Sequence, residues 1–515
     1  MWHFLKSEML QISCTICIYI FCCLVPLLNG DSVAYYTAAV YEHHAILNQN
    51  SSTLTDRKSA LEFMFQNLDI YEIQVATAAE RGAQIIVFPE DGIHGFNYTR
   101  QSIYPYLDFL PPSHLLPWNP CQEPDRFSDT EVLQRLSCMA VKGRMYLVAN
   151  LGTKVPCEHH HFRCPDGRYQ FNTNVVFSSN GTLVASYFKQ NLYFEYGFDI
   201  PPKAQHVVFN TPFASKFGLI TCFDILFYKP AVSLVESHMV KHILYPTAWM
   251  NQLPLLSAIQ IQRAFASAFG INLLAANIHH TKLGMTGSGI YSPSQSYFYF
   301  DMTSDNGKLL IGKVPVDPLP AGHNAQVSFG SQNINRLHWL HGDVCELDRA
   351  EHCRASLLRH QLPPSEFQAE MMYDNFTFIP LAAVEGAVKV CSSFCCYLNY
   401  TKTLESDEFY ALGIFDGLHT VHGTYYLQIC ALVKCGGLEP ETCGQEVTEA
   451  GTIINFQLWG NFTTKHIFPM LLTSGVTLHL PDSWGWKDSH CYMKNENMSS
   501  GLVTAALYGR LYNLD

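Results

Sequence analysis

Phe217-Gly218-Leu219-Ile220-Thr221-Cys222-Phe223-Asp224 decides how the N-terminal part of the chain is read. It has the length and apolarity of a buried strand, and it ends on a cysteine. The alternation of elements continues on both sides. Downstream, Pro230 to Lys241 suits a helix with proline in its first turn. Ile243-Leu244-Tyr245 is a strand stopped by Pro246, Ser257 to Phe269 a helix, and Ile271 to Ala276 a strand. Upstream, Tyr35 to Tyr41 is a buried strand. Lys58 to Arg81 is a helix with Leu61, Met64, Phe65, Leu68 and Val75 near one face and Gly82 as its stop. Ile85-Ile86-Val87-Phe88 is a strand closed by Pro89, Thr130 caps a helix running to Lys142, and Met145 to Ala149 is a further strand. Strands and helices in turn imply an α/β layered domain over residues 31–315.

The texture then changes. Residues 316–370 are rich in Pro, Gly, Asn and His with weak periodicity, and read as a linker or irregular subdomain. Residues 371–515 read as a β-rich domain stapled by cysteines, with strand-like runs at Phe376 to Ala382, Tyr425 to Leu432, Ile453 to Leu458 and Val503 to Leu507. A chain of 515 residues is expected to hold more than one core.

Composition narrows the function classes. A 48% hydrophobic and 15% charged chain suits packed domains. A formal charge of −12 disfavours nucleic acid as a partner. Residues 1–30 read as a cleaved signal peptide: Lys6, then an apolar run from Met9 to Leu28, then Gly30. Sequons at Asn50, Asn97, Asn180, Asn375, Asn399, Asn461 and Asn497 fit a secreted glycoprotein. Among the 18 cysteines, Cys157/Cys164, Cys345/Cys353 and Cys430/Cys435 are local disulfide candidates. Four of the 18 lie in the signal region, and with a catalytic thiol at Cys222 an odd number remains, so at least one more cysteine stays unpaired. The C-terminal residues show no lipid-anchor signal, so no stable membrane anchor is expected in the mature, extracellular chain.

Three polar residues sit at the ends of apolar strands: Glu90 after Ile85 to Pro89, Lys189 after Leu183 to Phe188, and Cys222 after Phe217 to Thr221. Each alone has a bland reading as turn residue, edge charge or core thiol. Together, a carboxylate, an ammonium and a thiol can run acyl transfer. The carboxylate takes the thiol proton, the sulfur attacks a carbonyl, and the ammonium, helped by the Phe223 N–H, holds the oxyanion.

Val87-Phe88-Pro89-Glu90, Tyr187-Phe188-Lys189-Gln190-Asn191-Leu192 and Thr221-Cys222-Phe223-Asp224 resemble the three catalytic blocks of the nitrilase superfamily, in the family's order. Tyr245 to Asn251 and Met285 to Tyr291 resemble further segments of it. The resemblance implies an αββα sandwich with Glu90, Lys189 and Cys222 as catalytic residues. The β-rich tail resembles the C-terminal domain of the branch that holds biotinidase and the vanins. That implies a small-molecule amide substrate and no cofactor: biocytin or biotinyl-peptides, cleaved through a thioester, with biotinyl transfer as a side activity. Pantetheine hydrolysis and a non-catalytic biotin-binding protein are the alternatives. Many relatives carry a second glutamate after the lysine in a Gly-Glu context. Here Glu195 lies in Tyr193-Phe194-Glu195-Tyr196-Gly197 and stays outside the triad.

Phe223 and Trp249 are candidates to line an acyl pocket, or to pack a core. His279 is a candidate substrate contact, or a satisfied loop histidine. His159-His160-His161 matches no standard zinc spacing, so no metal is expected.

Overall fold

The computed structural model describes residues 34–112, 115–157, 164, 166–318, 365–403 and 407–515. The expected signal peptide, the run His159 to His161, the Cys345/Cys353 pair and most of 316–370 lie outside them.

Two mixed sheets face each other in the N-terminal region. The first runs Lys308–Pro315, Tyr35–Glu42, Ile85–Val87, Tyr146–Pro156, Arg168–Phe177, Leu183–Phe188, with Asp108–Phe109 paired to the fourth strand. The second runs Ser296–Tyr299, Ser288–Tyr291, Asn272–Ala276, His242–Pro246, Phe217–Leu219, Val208–Phe209. Three neighbouring strands in each sheet are parallel. Tyr36, Val40, Val87 and Val148 of the first sheet meet Phe217, Leu219, Leu244 and Leu274 of the second in one buried layer. Such strands are apolar on both faces because both faces are covered. Helices Arg57–Glu80 and Glu131–Gly143 cover the outer face of the first sheet through Met64, Leu68, Val75, Leu133 and Leu136. Helix Ala258–Phe269 covers the second through Ile261, Ala264 and Phe265. This is the αββα sandwich.

Local chemistry sets the ends of these helices. Asp56 accepts from the Ser59 N–H at 2.8 Å and opens the first helix. Thr130 does not cap the second with its side chain as expected: its hydroxyl donates to the Phe127 carbonyl, and Asp108 accepts from the Leu133 N–H at 2.9 Å instead. The expected helix over Pro230 to Lys241 is cut short, to a π-type turn Tyr228–Val232 followed by Ser233–Glu236. Met239 turns left-handed at φ 57°, the Val240 N–H returns to the Leu234 carbonyl at 3.1 Å, and the buried Val240 then packs under Gly218.

The C-terminal region is a second sandwich. Its seven-stranded sheet runs Phe367–Met371, Asp374–Pro380, Tyr410–His419, Tyr425–Lys434, Leu502–Arg510, Ile467–Thr473, Thr477–Leu478. Its five-stranded partner runs Glu385–Cys391, Cys395–Lys402, Ile454–Gly460, His490–Asn495, Ser483–Lys487. The first strand begins upstream of residue 371: Phe367, Ala369 and Met371 alternate with the exposed Gln368 and Glu370, a short period-2 signal at the edge of an irregular stretch. Leu398, Phe456 and Leu458 interleave with Leu412, Leu432 and Leu471 between the two sheets. The other face of the seven-stranded sheet lies on the N-terminal sandwich: Phe376, Ile429, Phe468 and Tyr508 share one core with Phe223, Leu226 and Phe265.

The cysteines pair differently from the local expectation. Cys157–Cys164 forms, but Cys430 bonds Cys396 and Cys435 bonds Cys443. Cys430 and Cys435 lie along and just past one extended strand, which would hold them about 16 Å apart, far beyond disulfide reach. Cys121–Cys138 and Cys391–Cys395 complete the bridges among the described residues, where Cys222 and Cys491 remain free and buried. All seven sequon asparagines are exposed.

Cys396–Cys430 joins the two sheets of the C-terminal sandwich across 34 residues of chain. Replacing both by Ala should cost about 2–4 kcal/mol. Calorimetry should show a lower melting temperature for that variant, with no matching loss from Cys491→Ala.

Candidate active site

Glu90, Lys189 and Cys222 follow three different strands and converge behind the carboxyl ends of the parallel ones. All three are buried, at 1%, 2% and 7% exposure. The Lys189 ammonium donates to Glu90 Oε1 at 2.6 Å and to Glu195 Oε1. Asn172 Nδ2 donates to Glu90 Oε1 and to Glu195 Oε2, each at 2.8 Å. The Ala248 N–H donates to Glu90 Oε2 at 3.0 Å. Glu195 therefore belongs to the cluster, although its local sequence left it outside.

The backbone around the sulfur is held in an unfavourable shape. Cys222 sits at φ 42°, in the left-handed region that disfavours a side chain. Tyr245 fixes it by donating to the Cys222 carbonyl at 2.8 Å. Asp224 ties this turn to the lysine segment. It accepts from the Thr221 N–H at 3.0 Å, the Tyr187 hydroxyl at 2.7 Å and the Asn191 N–H at 2.9 Å. A row of amides on Arg168–Phe177 does the same for the glutamates. Asn150 donates to Asn172 and Asn174, and Asn174 donates to the Ile220 carbonyl. Gln170, Asn172 and Asn174 recur at period 2 along Arg168–Phe177; that pattern was the available signal, and sequence reasoning missed it.

The electrostatics are those of a buried, charged pocket. Burial alone would neutralise Lys189, but Glu195 and Glu90 outweigh it and raise its pKa well above the ordinary value. Burial raises Glu195, against the pull of Lys189. Burial, then Glu90 and Glu195, push the neighbouring Asp91 well up. For Cys222, burial and then the Glu90 charge raise the thiol pKa far more than Lys189 lowers it. Lys189 lowers the thiol pKa, but burial and Glu90 outweigh it, so attack by the sulfur calls for a base, the role the sequence gives to the carboxylate.

The sulfur opens into a cavity. Phe223 and Trp249 both line it, with Tyr193, Leu226 and Leu256. Trp249 is fixed there by donating from Nε1 to the Leu256 carbonyl at 2.9 Å. Val421, His422 and Tyr425 of the C-terminal sandwich complete the wall. Sequence reasoning gave no hint of them, because nothing local in a hairpin says which distant domain its tip will touch. His279 is a correction: it is absent from this wall. Its Nδ1 bonds Glu42 at 2.7 Å and its Nε2 the Ser304 carbonyl at 2.5 Å, so both nitrogens are used in a buried structural bridge.

Residues 44–291 match the carbon-nitrogen hydrolase family, and residues 365–515 match the vanin C-terminal domain. The chain is 59% identical to biotinidase of Homo sapiens, over 93% of this chain and 90% of that protein. It is 48% identical to biotinidase of Takifugu rubripes, over 96% and 97%. This chain belongs to the biotinidase–vanin branch of the nitrilase superfamily. It is 43% identical to pantetheinase of Bos taurus, over 95% of this chain and 91% of that one. A member of this branch is a carbon–nitrogen hydrolase acting on amides, and this chain is one.

Two outcomes follow from the geometry. Glu195→Gln removes one of the two carboxylates that keep Lys189 charged. Steady-state amide hydrolysis should show kcat reduced about 10- to 100-fold, with KM much less affected. His279 is raised above its ordinary pKa, since Glu42 and the Ser304 carbonyl outweigh burial. Its bridge contributes fully below the unfolded value of about 6.5 and fades as pH rises through the higher folded value. Urea unfolding should therefore show a larger gap between wild type and His279→Gln at acid than at alkaline pH.

Proposed function

We propose that this chain is a secreted amidase that releases biotin from biocytin and biotinyl-peptides, through a thioester on Cys222. The observation that carries the reading is one buried cluster in which Lys189 contacts Glu90 at 2.6 Å beside a free thiol opening into an apolar cavity. The greater identity to the biotinidases than to the pantetheinase supports biotin as the acyl group. The leader-like N-terminus, the exposed sequons and the disulfides support export.

The chemistry runs as follows. Glu90 takes the proton from Cys222 as the sulfur attacks the amide carbon. Lys189 and the Phe223 N–H, in the first turn of the 3₁₀ segment Cys222–Leu226, hold the oxyanion. Glu90 passes its proton to the amide nitrogen, the C–N bond breaks and the lysine amine leaves. Water enters, gives a proton to Glu90 and attacks the thioester. Collapse of that intermediate frees the carboxylic acid and returns the proton to sulfur. An amine in place of water would receive the acyl group, which is biotinyl transfer.

The test is a paired assay on the purified chain. Biocytin should be cleaved with kcat/KM well above that for pantetheine, and Cys222→Ala should abolish turnover while keeping the melting temperature. A preference for pantetheine would replace biotin as substrate. Biocytin cleavage by Cys222→Ala would remove the thioester.

A further inference from the structure

The walls of the thiol cavity are mostly apolar, from Phe223, Leu226, Trp249 and Leu256. Such walls suit a saturated acyl chain but give no partner to a polar group at its end, and an unpartnered polar group is costly to bury. Besides the hydroxyls of Tyr193 and Tyr425, two polar lining side chains lie outside the charged cluster: Gln252, from the catalytic half, and His422, from the C-terminal sandwich. They meet across the boundary, with Gln252 Nε2 3.4 Å from His422 Nδ1.

Both are held in place. Gln252 exchanges backbone hydrogen bonds with Leu256, at 3.2 and 2.7 Å. His422 is at the tip of the hairpin between Tyr410–His419 and Tyr425–Lys434, in the left-handed region at φ 59°. Its ring stands edge-on to Tyr373 at 5.1 Å, Phe194 at 5.7 Å and Tyr193 at 6.1 Å. The next residue, Gly423, lies so close to Phe223 that a β-carbon would fall 2.6 Å from its ring. At the base of the hairpin, His419 Nδ1 and Asp374 bond at 2.7 Å. Strained backbone fixed by its surroundings beside a reactive group is where recognition residues are found.

We propose that Gln252 and His422 form the polar end of the acyl site, reading the cyclic urea of a biotinyl group. The assignment rests on the biotin-amide reading above. A cyclic urea carries two N–H donors and a carbonyl acceptor. A carboxamide offers both donor and acceptor, and a neutral imidazole offers one of each, so the pair can meet all three groups once the urea replaces their 3.4 Å contact with one another. The C-terminal sandwich thereby supplies substrate selectivity to a reaction whose bond-breaking groups all lie in the other half.

The experiment uses the full chain, with Gln252→Leu and His422→Leu, and two substrates: biocytin and Nε-octanoyl-lysine, which has the same scissile amide and an apolar chain but no urea. In each variant the ratio of kcat/KM for biocytin to that for octanoyl-lysine should fall about 10- to 100-fold. An unchanged ratio overturns the assignment, including when both activities fall together. Should His422→Leu fail to fold, Gln252→Leu on the other half carries the same test. If the wild type cleaves octanoyl-lysine but not biocytin, the biotin reading fails and this assignment with it. Normal biocytin cleavage by the wild type with unchanged ratios in the variants overturns the assignment alone.

Discussion

One buried ammonium organises the reactive centre. Lys189 lies between Glu90 and Glu195 with almost no solvent contact, and Asp91 is packed nearby. Without its charge, two carboxylates would face each other in a medium that tolerates neither well. With it, they become the two arms that hold it charged. Asn172 bridges the same two carboxylates, which stiffens the arrangement. The cluster thus demands three strand ends in fixed register, and two packed sheets supply that rigidity. The thiol, like Glu195 and Asp91, is pushed by burial toward its neutral form.

The second constraint is coverage. Helix Ala258–Phe269 seals the outer face of the second sheet, and the seven-stranded sheet then lies over it, Phe468 stacking on Phe265 at 6.0 Å. Arg510, fully buried, donates from Nε to the Leu226 carbonyl at 3.0 Å. That carbonyl closes the turn begun by Cys222, so the β-rich half touches both the wall and the frame of the thiol site.

Much of this was legible in the chain. Long amphipathic helices and apolar runs punctuated by Pro and Gly mark the α/β half closely: Lys58 to Arg81 against Arg57–Glu80, and Ser257 to Phe269 with Ser257 before the first helical residue. Glu90, Lys189 and Cys222 stood out because polar residues that end buried strands are conspicuous. Glu195 stayed outside because it lacks the Gly-Glu context of many relatives, and only the fold shows it turned inward onto Lys189. The helix after Pro230 was overestimated because local propensity ignores the need of Val240 to turn into the core. Cys396–Cys430 and the tip of the His422 hairpin depend on contacts between distant segments, which no local window contains.

The order of strands in the seven-stranded sheet has a consequence for biosynthesis. Leu502–Arg510, the final strand in chain order, is not at an edge but between Tyr425–Lys434 and Ile467–Thr473. As the chain leaves the ribosome, the catalytic half emerges early, yet the sheet that shields its flank has a gap at its centre until Leu502–Arg510 is made. The reactive half must wait with an oily side uncovered, so maturation of this molecule is a race between closing that gap and clumping.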